Sequence, residues 1–141
     1  MKTTDIPTVA VTRRFTFSAA HRYARPEWSE VENRERFGPL ATIHGHTYTL
    51  EVTLHGRVDP STGMVADLEE VKRVVTEVVL ARFDHAFIND DPAFPPGVLP
   101  TTENLILVVW DLLAAKLGAD RLASLRLWED PTLCVEYRGE A

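Results

Sequence analysis

The sequence predicts an α+β domain, with one antiparallel sheet and two helices on one of its faces, in the order strand, strand, helix, helix, strand, strand. Three observations carry this. Residues 9–19 and 48–54 alternate between apolar and polar, the period of half-buried strands. Two central segments instead repeat apolar residues at helical spacing behind capping residues. Two short alternating runs then close the chain on either side of Asp130-Pro131-Thr132. At 141 residues, a single domain spanning 1–141 is expected, large enough for one hydrophobic core.

Taken in order, the first run places Val9, Val11, Phe15, Phe17 and Ala19 on one parity and Thr12, Arg14, Thr16 and Ser18 on the other. The second sets Tyr48, Leu50, Val52 and Leu54 against Thr47, Thr49, Glu51 and Thr53. Asp59-Pro60-Ser61-Thr62-Gly63 reads as a turn. Asp67 caps the first helix, with Glu69 and Glu70 favoured by the helix dipole and an inner stripe of Leu68, Val71, Val74, Val75 and Val78. A proline-rich loop between Asn89 and Pro100 precedes the second helix, capped by Thr101 or Thr102, striped by Leu105, Val108, Val109, Leu112 and Leu113, and stopped at Gly118. Ala123, Leu125 and Leu127 form the third strand, and Leu133, Val135 and Tyr137 the fourth. The segment 22–43, rich in Glu and Arg, is long for a connection between paired strands, and loops of that length tend to be functional.

Composition narrows the function. Hydrophobic residues make up 45% and charged residues 26%, as in ordinary globular proteins. Fifteen Lys and Arg against 21 Asp and Glu give a net charge of −6 without any basic run, which argues against a nucleic-acid partner. No apolar stretch is long enough to span a bilayer, and residues 1–5 lead into no signal-peptide core, so a cytoplasmic protein is the simplest account. The single Cys134 excludes an internal disulfide and a cysteine-rich zinc site.

The chemistry concentrates in three histidines. His21 closes the first strand on its apolar parity, and His44 and His46 open the second on the same parity. Antiparallel pairing would crowd all three imidazoles into one corner of one face. Three neutral nitrogens with no fourth thiolate or histidine nearby match a catalytic zinc site with an open position. The competing reading is of exposed histidines at strand ends, which suits His55 on the polar parity. Glu129 continues the parity of Leu125 and Leu127 toward the buried face, where a carboxylate needs a partner or a ligand, unless the strand frays before it.

At this point the residues acquire a context. Phe17-Ser18-Ala19-Ala20-His21-Arg22, His44-Gly45-His46-Thr47-Tyr48, Asp59-Pro60 with Gly63-Met64, Asp84-His85 with Asn89, Thr101-Thr102-Glu103-Asn104 and Glu129 occur in that order. In this combination the chain resembles the 6-pyruvoyl-tetrahydropterin and 6-carboxy-tetrahydropterin synthases along nearly its whole length. The resemblance implies the tunnelling fold: a four-stranded antiparallel sheet carrying two helices, closed with other subunits into a barrel. It also implies a homo-oligomer, trimer or hexamer, with active sites between subunits. His21, His44 and His46 would hold Zn2+, Glu129 would grip the pterin with Thr102 and Glu103 in a second substrate-binding segment, and Asp84 and His85 would form a proton-transfer dyad. Without the resemblance, Asp84-His85 would read as a solvated polar pair ending a helix.

The implied substrate is 7,8-dihydroneopterin triphosphate, and the implied product 6-carboxy-tetrahydropterin, on the route to queuosine-type deazapurines, or a close relative. One position departs from the pattern. The family's catalytic cysteine follows a Phe-Gly stretch, and here Phe37-Gly38-Pro39 is followed by Leu40, which cannot abstract a proton. Glu35 or Glu32 could supply a carboxylate, or His85 could serve alone. Two alternatives stand beside the leading reading: side-chain cleavage to 6-hydroxymethyl-dihydropterin, and a non-catalytic pterin- or metal-binding homologue.

Overall fold

A computed structural model describes residues 6–140 of the chain; residues 1–5, read above as no leader, lie outside them. Strands β1 (Thr8–His21) and β2 (His44–Arg57) pair antiparallel over their full length, with Thr8 opposite Arg57 and His21 opposite His44. The alternation expected from sequence holds from Phe15 onward: Phe15, Phe17, Ala19, Tyr48, Leu50, Val52 and Leu54 are all buried, whereas Val9, expected on the same face, is exposed near the strand start and Val11 is only partly covered.

Between these strands, α1 (Glu30–Phe37) and a 3-10 turn (Gly38–Ala41) fill much of what was expected to be a loop. Helical periodicity is silent here because Asn33 is the one buried residue of α1. What holds the segment is the Asn33 amide: Oδ1 accepts from the Arg25 N–H at 2.7 Å, and Nδ2 reaches the Arg25, Trp28 and Ser29 carbonyls at 3.2, 3.3 and 3.1 Å. Ser29 caps the helix by accepting from the Glu32 N–H.

Helix α2 (Leu68–Val75) starts at Asp67, whose side chain accepts from the Glu69 and Glu70 N–H groups. It continues through a π-helical turn (Thr76–Leu80) and a last α turn (Ala81–Phe83). Val71, Val74, Val75, Val79 and Phe83 are buried, whereas Leu68, expected in the stripe, is exposed and Val78 only partly covered. The five-residue turn shifts the inward face by about one position, which explains the change from Val78 to Val79.

A two-residue strand, β3 (Ala86–Phe87), then lies parallel to β1 at Ala19 and Ala20. Helix α3 (Thr102–Leu117) is capped by Thr101, not Thr102, and ends at Gly118, whose φ of 94° lets the chain leave the helix. Leu105, Val109 and Leu113 are buried together with Ile106, Trp110 and Leu117, so the covered stripe is broader than expected, and Val108 and Leu112 lie at its margin.

Strand β4 (Leu122–Asp130) pairs antiparallel with β2, and β5 (Leu133–Tyr137) with β4. A bulge near Thr53 and Leu54 brings Leu122 opposite Leu54, so Leu122 takes the buried place expected of Ala123. Leu133 is exposed at the edge. The sheet order is β3-β1-β2-β4-β5. The expected four-stranded antiparallel sheet with two helices is therefore a five-stranded mixed sheet with three helices. The added strand is too short to leave a periodic signal, and the added helix is polar nearly all round. Among the described residues no helix is long and apolar enough to cross a membrane.

Candidate active site

The register of β1 and β2 puts His21 opposite His44 and Ala19 opposite His46, so the three rings meet at one end of the covered face. Their centroids are 4.5 Å apart for His21 and His44 and 5.1 Å for each pair with His46. One ligand atom from each lies within 4.8 Å of the others. Backbone carbonyls set the tautomers. His21 Nδ1–H donates to the Pro100 carbonyl at 2.8 Å, and His44 Nδ1–H to the Thr42 carbonyl at 2.7 Å. Each ring therefore presents its Nε2 lone pair.

The Nε2 atoms of His21, His44 and His46 are all buried without a hydrogen-bond partner. An unpaired buried polar atom costs about 1–3 kcal/mol. Three of them side by side make sense as a ligand set, and the donors fit a divalent cation such as zinc with one position open. Burial first, then the neighbouring His44 and His46, hold the His21 pKa below its ordinary value, outweighing the Pro100 carbonyl and Glu129; the neutral form is the one that ligates.

Glu129 stands beside the trio. The strand does not fray, because β4 runs through Asp130. Oε1 of Glu129 is 3.6 Å from His46 Nε2 and 4.0 Å from His21 Nε2, and it accepts the hydroxyl of buried Thr102 at 2.9 Å. Thr102 and Glu103 both lie in the first turn of α3, Thr102 turned inward and Glu103 exposed. Tyr23 and Tyr48 wall the corner. Tyr23 meets His21 edge-on at 5.1 Å and His44 at 6.0 Å, and Tyr48 meets His46 at 5.6 Å. Burial foremost, then the charges of Glu129 and Glu103, push the Tyr23 hydroxyl up to about 12, and burial with Glu129 raises Tyr48 further, so both phenols stay protonated.

The Asp84-His85 pair follows the last turn of α2. Asp84 Oδ1 accepts the Ser18 N–H at 2.9 Å and lies 3.1 Å from His85 Nδ1. The His85 N–H donates to the Ser18 carbonyl at 2.5 Å, and His85 adopts a φ of 61°, uncommon for a residue with a side chain. These bonds, the Ser18 N–H foremost and His85 after it, lower the Asp84 pKa and keep it ionised. The His85 ring is 83% exposed. An open cavity of about 430 Å³ has Ser18, Gly45, His46, Thr47 and His85 in its lining.

The other expected residues are not gathered there. Glu32 and Glu35 are exposed on α1, and Leu40 is exposed on the 3-10 turn. Cys134 is partly covered on β5, opposite Trp128. His55 is exposed at the far end of β2, as expected, with Nε2 donating to the Asp120 carbonyl. Sequence reasoning missed Tyr23 and the Thr42 and Pro100 carbonyls. Tyr23, two residues beyond His21, could have been found from its place; carbonyls carry no side-chain signal.

A family model described as 6-pyruvoyl tetrahydropterin synthase matches residues 10–140. A 6-pyruvoyl tetrahydrobiopterin synthase of Drosophila melanogaster is 38% identical over 136 residues, covering 94% of this chain and 81% of that protein. A candidate 6-carboxy-5,6,7,8-tetrahydropterin synthase of Archaeoglobus fulgidus is 36% identical and covers 72% of each. The solved Caenorhabditis elegans 6-pyruvoyl tetrahydropterin synthase superposes with a TM-score of 0.86 at 33% identity, covering 96% of this chain and 98% of that one. At 18% identity and a TM-score of 0.67, a Plasmodium vivax 6-pyruvoyltetrahydropterin synthase, solved as a variant in which a catalytic glutamate is replaced by alanine, shows the same fold over 93% of this chain and 97% of that one. Fold and site together define a lyase that processes pterins. The chain belongs to the 6-pyruvoyl tetrahydropterin synthase family.

Proposed function

We propose that this chain is a zinc-dependent lyase that eliminates triphosphate from 7,8-dihydroneopterin triphosphate. The observation that carries this reading is the set of three buried, unpartnered Nε2 atoms beside the Thr102-held carboxylate of Glu129. His21, His44 and His46 hold the metal, which when bound supplies Lewis-acid polarisation of the substrate's side-chain oxygens. Glu129 accepts the adjacent N–H donors of the pterin's guanidine-like edge, with Thr102 orienting it and Glu103 flanking the entrance. Tyr23 and Tyr48 exclude water from this corner.

His85 carries the proton, and Asp84 orients its ring and stabilises the charged form. Leu40 leaves His85 without the customary cysteine. Glu35 is the second candidate base, with Glu32 behind it. Elimination with proton return needs no external oxidant, and the Drosophila relative favours a 6-pyruvoyl-tetrahydropterin product. The Archaeoglobus relative supports the second reading, 6-carboxy-tetrahydropterin with loss of the side-chain carbons. The protein works as a homo-oligomer in the cytoplasm in this reading.

Metal-loaded protein incubated with the substrate should release triphosphate and a single pterin product identifiable by mass spectrometry. Binding without turnover would leave a non-catalytic pterin-binding protein; a 6-hydroxymethyl product would move the assignment to side-chain cleavage. Unchanged turnover in Glu35→Ala would remove Glu35 as base.

A further inference from the structure

A second cavity, of about 240 Å³, is lined by Arg22, Glu30, Arg34, Ala41, Thr42 and Ile43, of which Arg22 and Ile43 are the chain neighbours of His21 and His44. Its place follows from the chain: Arg22 succeeds His21, and Thr42 provides the carbonyl that orients His44. Two features mark it as more than a surface fold. The Nε of Arg22 is buried and has no hydrogen-bond partner, although the Arg22 main chain is fixed by Asn89 on both sides at 2.9 Å. Arg34, one turn along α1 from Glu30, makes no ion pair among the described residues, and neither does Glu30.

Two guanidinium groups against one carboxylate thus face a shared space in a chain whose net charge is −6. A buried guanidinium N–H seeks an acceptor, because leaving it dry and unpaired is costly. The planar fork of arginine matches the paired oxygens of phosphate. Among the described residues no carboxylate fills that role for either group, which leaves room for an acceptor from outside.

We propose that this cavity receives the triphosphate arm of the substrate, with Arg22 and Arg34 gripping its oxygens. The inference rests on the pterin-lyase reading and adds a place for the leaving group. The phosphate ester sits on the side-chain carbon beside the hydroxyl-bearing carbons, so an arm leaving the histidine corner reaches the space next to it. Cations there stabilise the charge that grows on the departing triphosphate. Glu30 opposes the same charge and weakens the grip.

The test compares two fluorescent oxidised pterins that cannot be turned over, neopterin and neopterin triphosphate, binding to zinc-loaded protein. The triphosphate should tighten binding at least about tenfold in the unaltered chain. Arg34→Gln, on the exposed surface of α1, should remove most of that gain while leaving neopterin affinity unchanged. Glu30→Gln should increase the gain, and added salt should erode it. An unchanged gain in both variants overturns the proposal, since the triphosphate would then be held elsewhere, the metal included. If neither pterin binds, the lyase reading fails by itself. Inorganic tripolyphosphate then decides the cavity: weaker binding to Arg34→Gln supports an anion site, and equal or no binding rejects it.

Discussion

The two halves of the candidate site are built to opposite specifications. The histidine corner draws its three rings from one chain, with His21 and all three Nε2 atoms buried and main-chain carbonyls locking Nδ1 of His21 and His44. The Asp84-His85 pair stands at the opposite edge of β1 in a left-handed turn, anchored to Ser18 and otherwise open to solvent. Burial suits ligands that must present lone pairs in fixed directions. Exposure suits a group that must exchange protons. The contrast shows how one strand, β1, can support both: its covered face ends in His21, and its main chain at Ser18 positions the dyad.

This contrast can be broken from either side. The largest effect belongs to His44→Ala, which should abolish stoichiometric metal binding and lower turnover on the order of 10³-fold, while circular dichroism reports an intact sheet. Retained zinc in that variant would refute the ligand assignment. Asp84→Asn should lower kcat about 10²-fold with metal content unchanged, because the neutral amide no longer stabilises a charged His85. The Asp84 pKa lies below its ordinary 3.8, so the carboxylate's support is present above that value and lost as pH falls through the lowered one; the asparagine variant should lose this acid limb of the rate profile.

Glu129→Gln probes the carboxylate beside the histidine corner. It should raise the dissociation constant for the pterin about tenfold and leave zinc bound. Loss of zinc instead would make Glu129 part of the metal corner. The smallest kinetic effect is expected for Asn33→Ala, which unpicks the connection between β1 and β2. It should cost about 1–3 kcal/mol of stability in chemical unfolding and, by loosening the helix that carries Arg34 and Glu35, lower turnover of the folded fraction a few-fold with zinc retained. Turnover equal to that of the unaltered chain would show that α1 does not reach the substrate.

What the sequence disclosed follows from periodicity. The covered faces of β1 and β2, the caps at Asp67 and Thr101, the stop at Gly118 and the convergence of His21, His44 and His46 all rest on spacing that a single chain displays. Glu129 was legible as a carboxylate on the wrong parity, and the structure supplies its partner in Thr102. Helix α1 escaped because it buries so little, although Ser29 followed three residues on by Glu32 is a capping signature. Strand β3 escaped because it spans only Ala86–Phe87 and owes its place to tertiary contact. The wider stripe of α3 reflects packing against both the sheet and the carboxyl-terminal segment, where Trp110 meets Tyr137 edge-on at 5.2 Å. No local pattern encodes that.

The π-helical turn at Thr76–Leu80 has a consequence for the dyad at its far end. Each residue of an α-helix rotates the chain by about 100°. Removing Val78 would tighten the wide turn into ordinary helix and swing the carboxylate of Asp84 off the Ser18 amide. The extra residue thus works as a phase shifter, timing the helix exit so that an acid and an imidazole arrive at the sheet edge facing the right way.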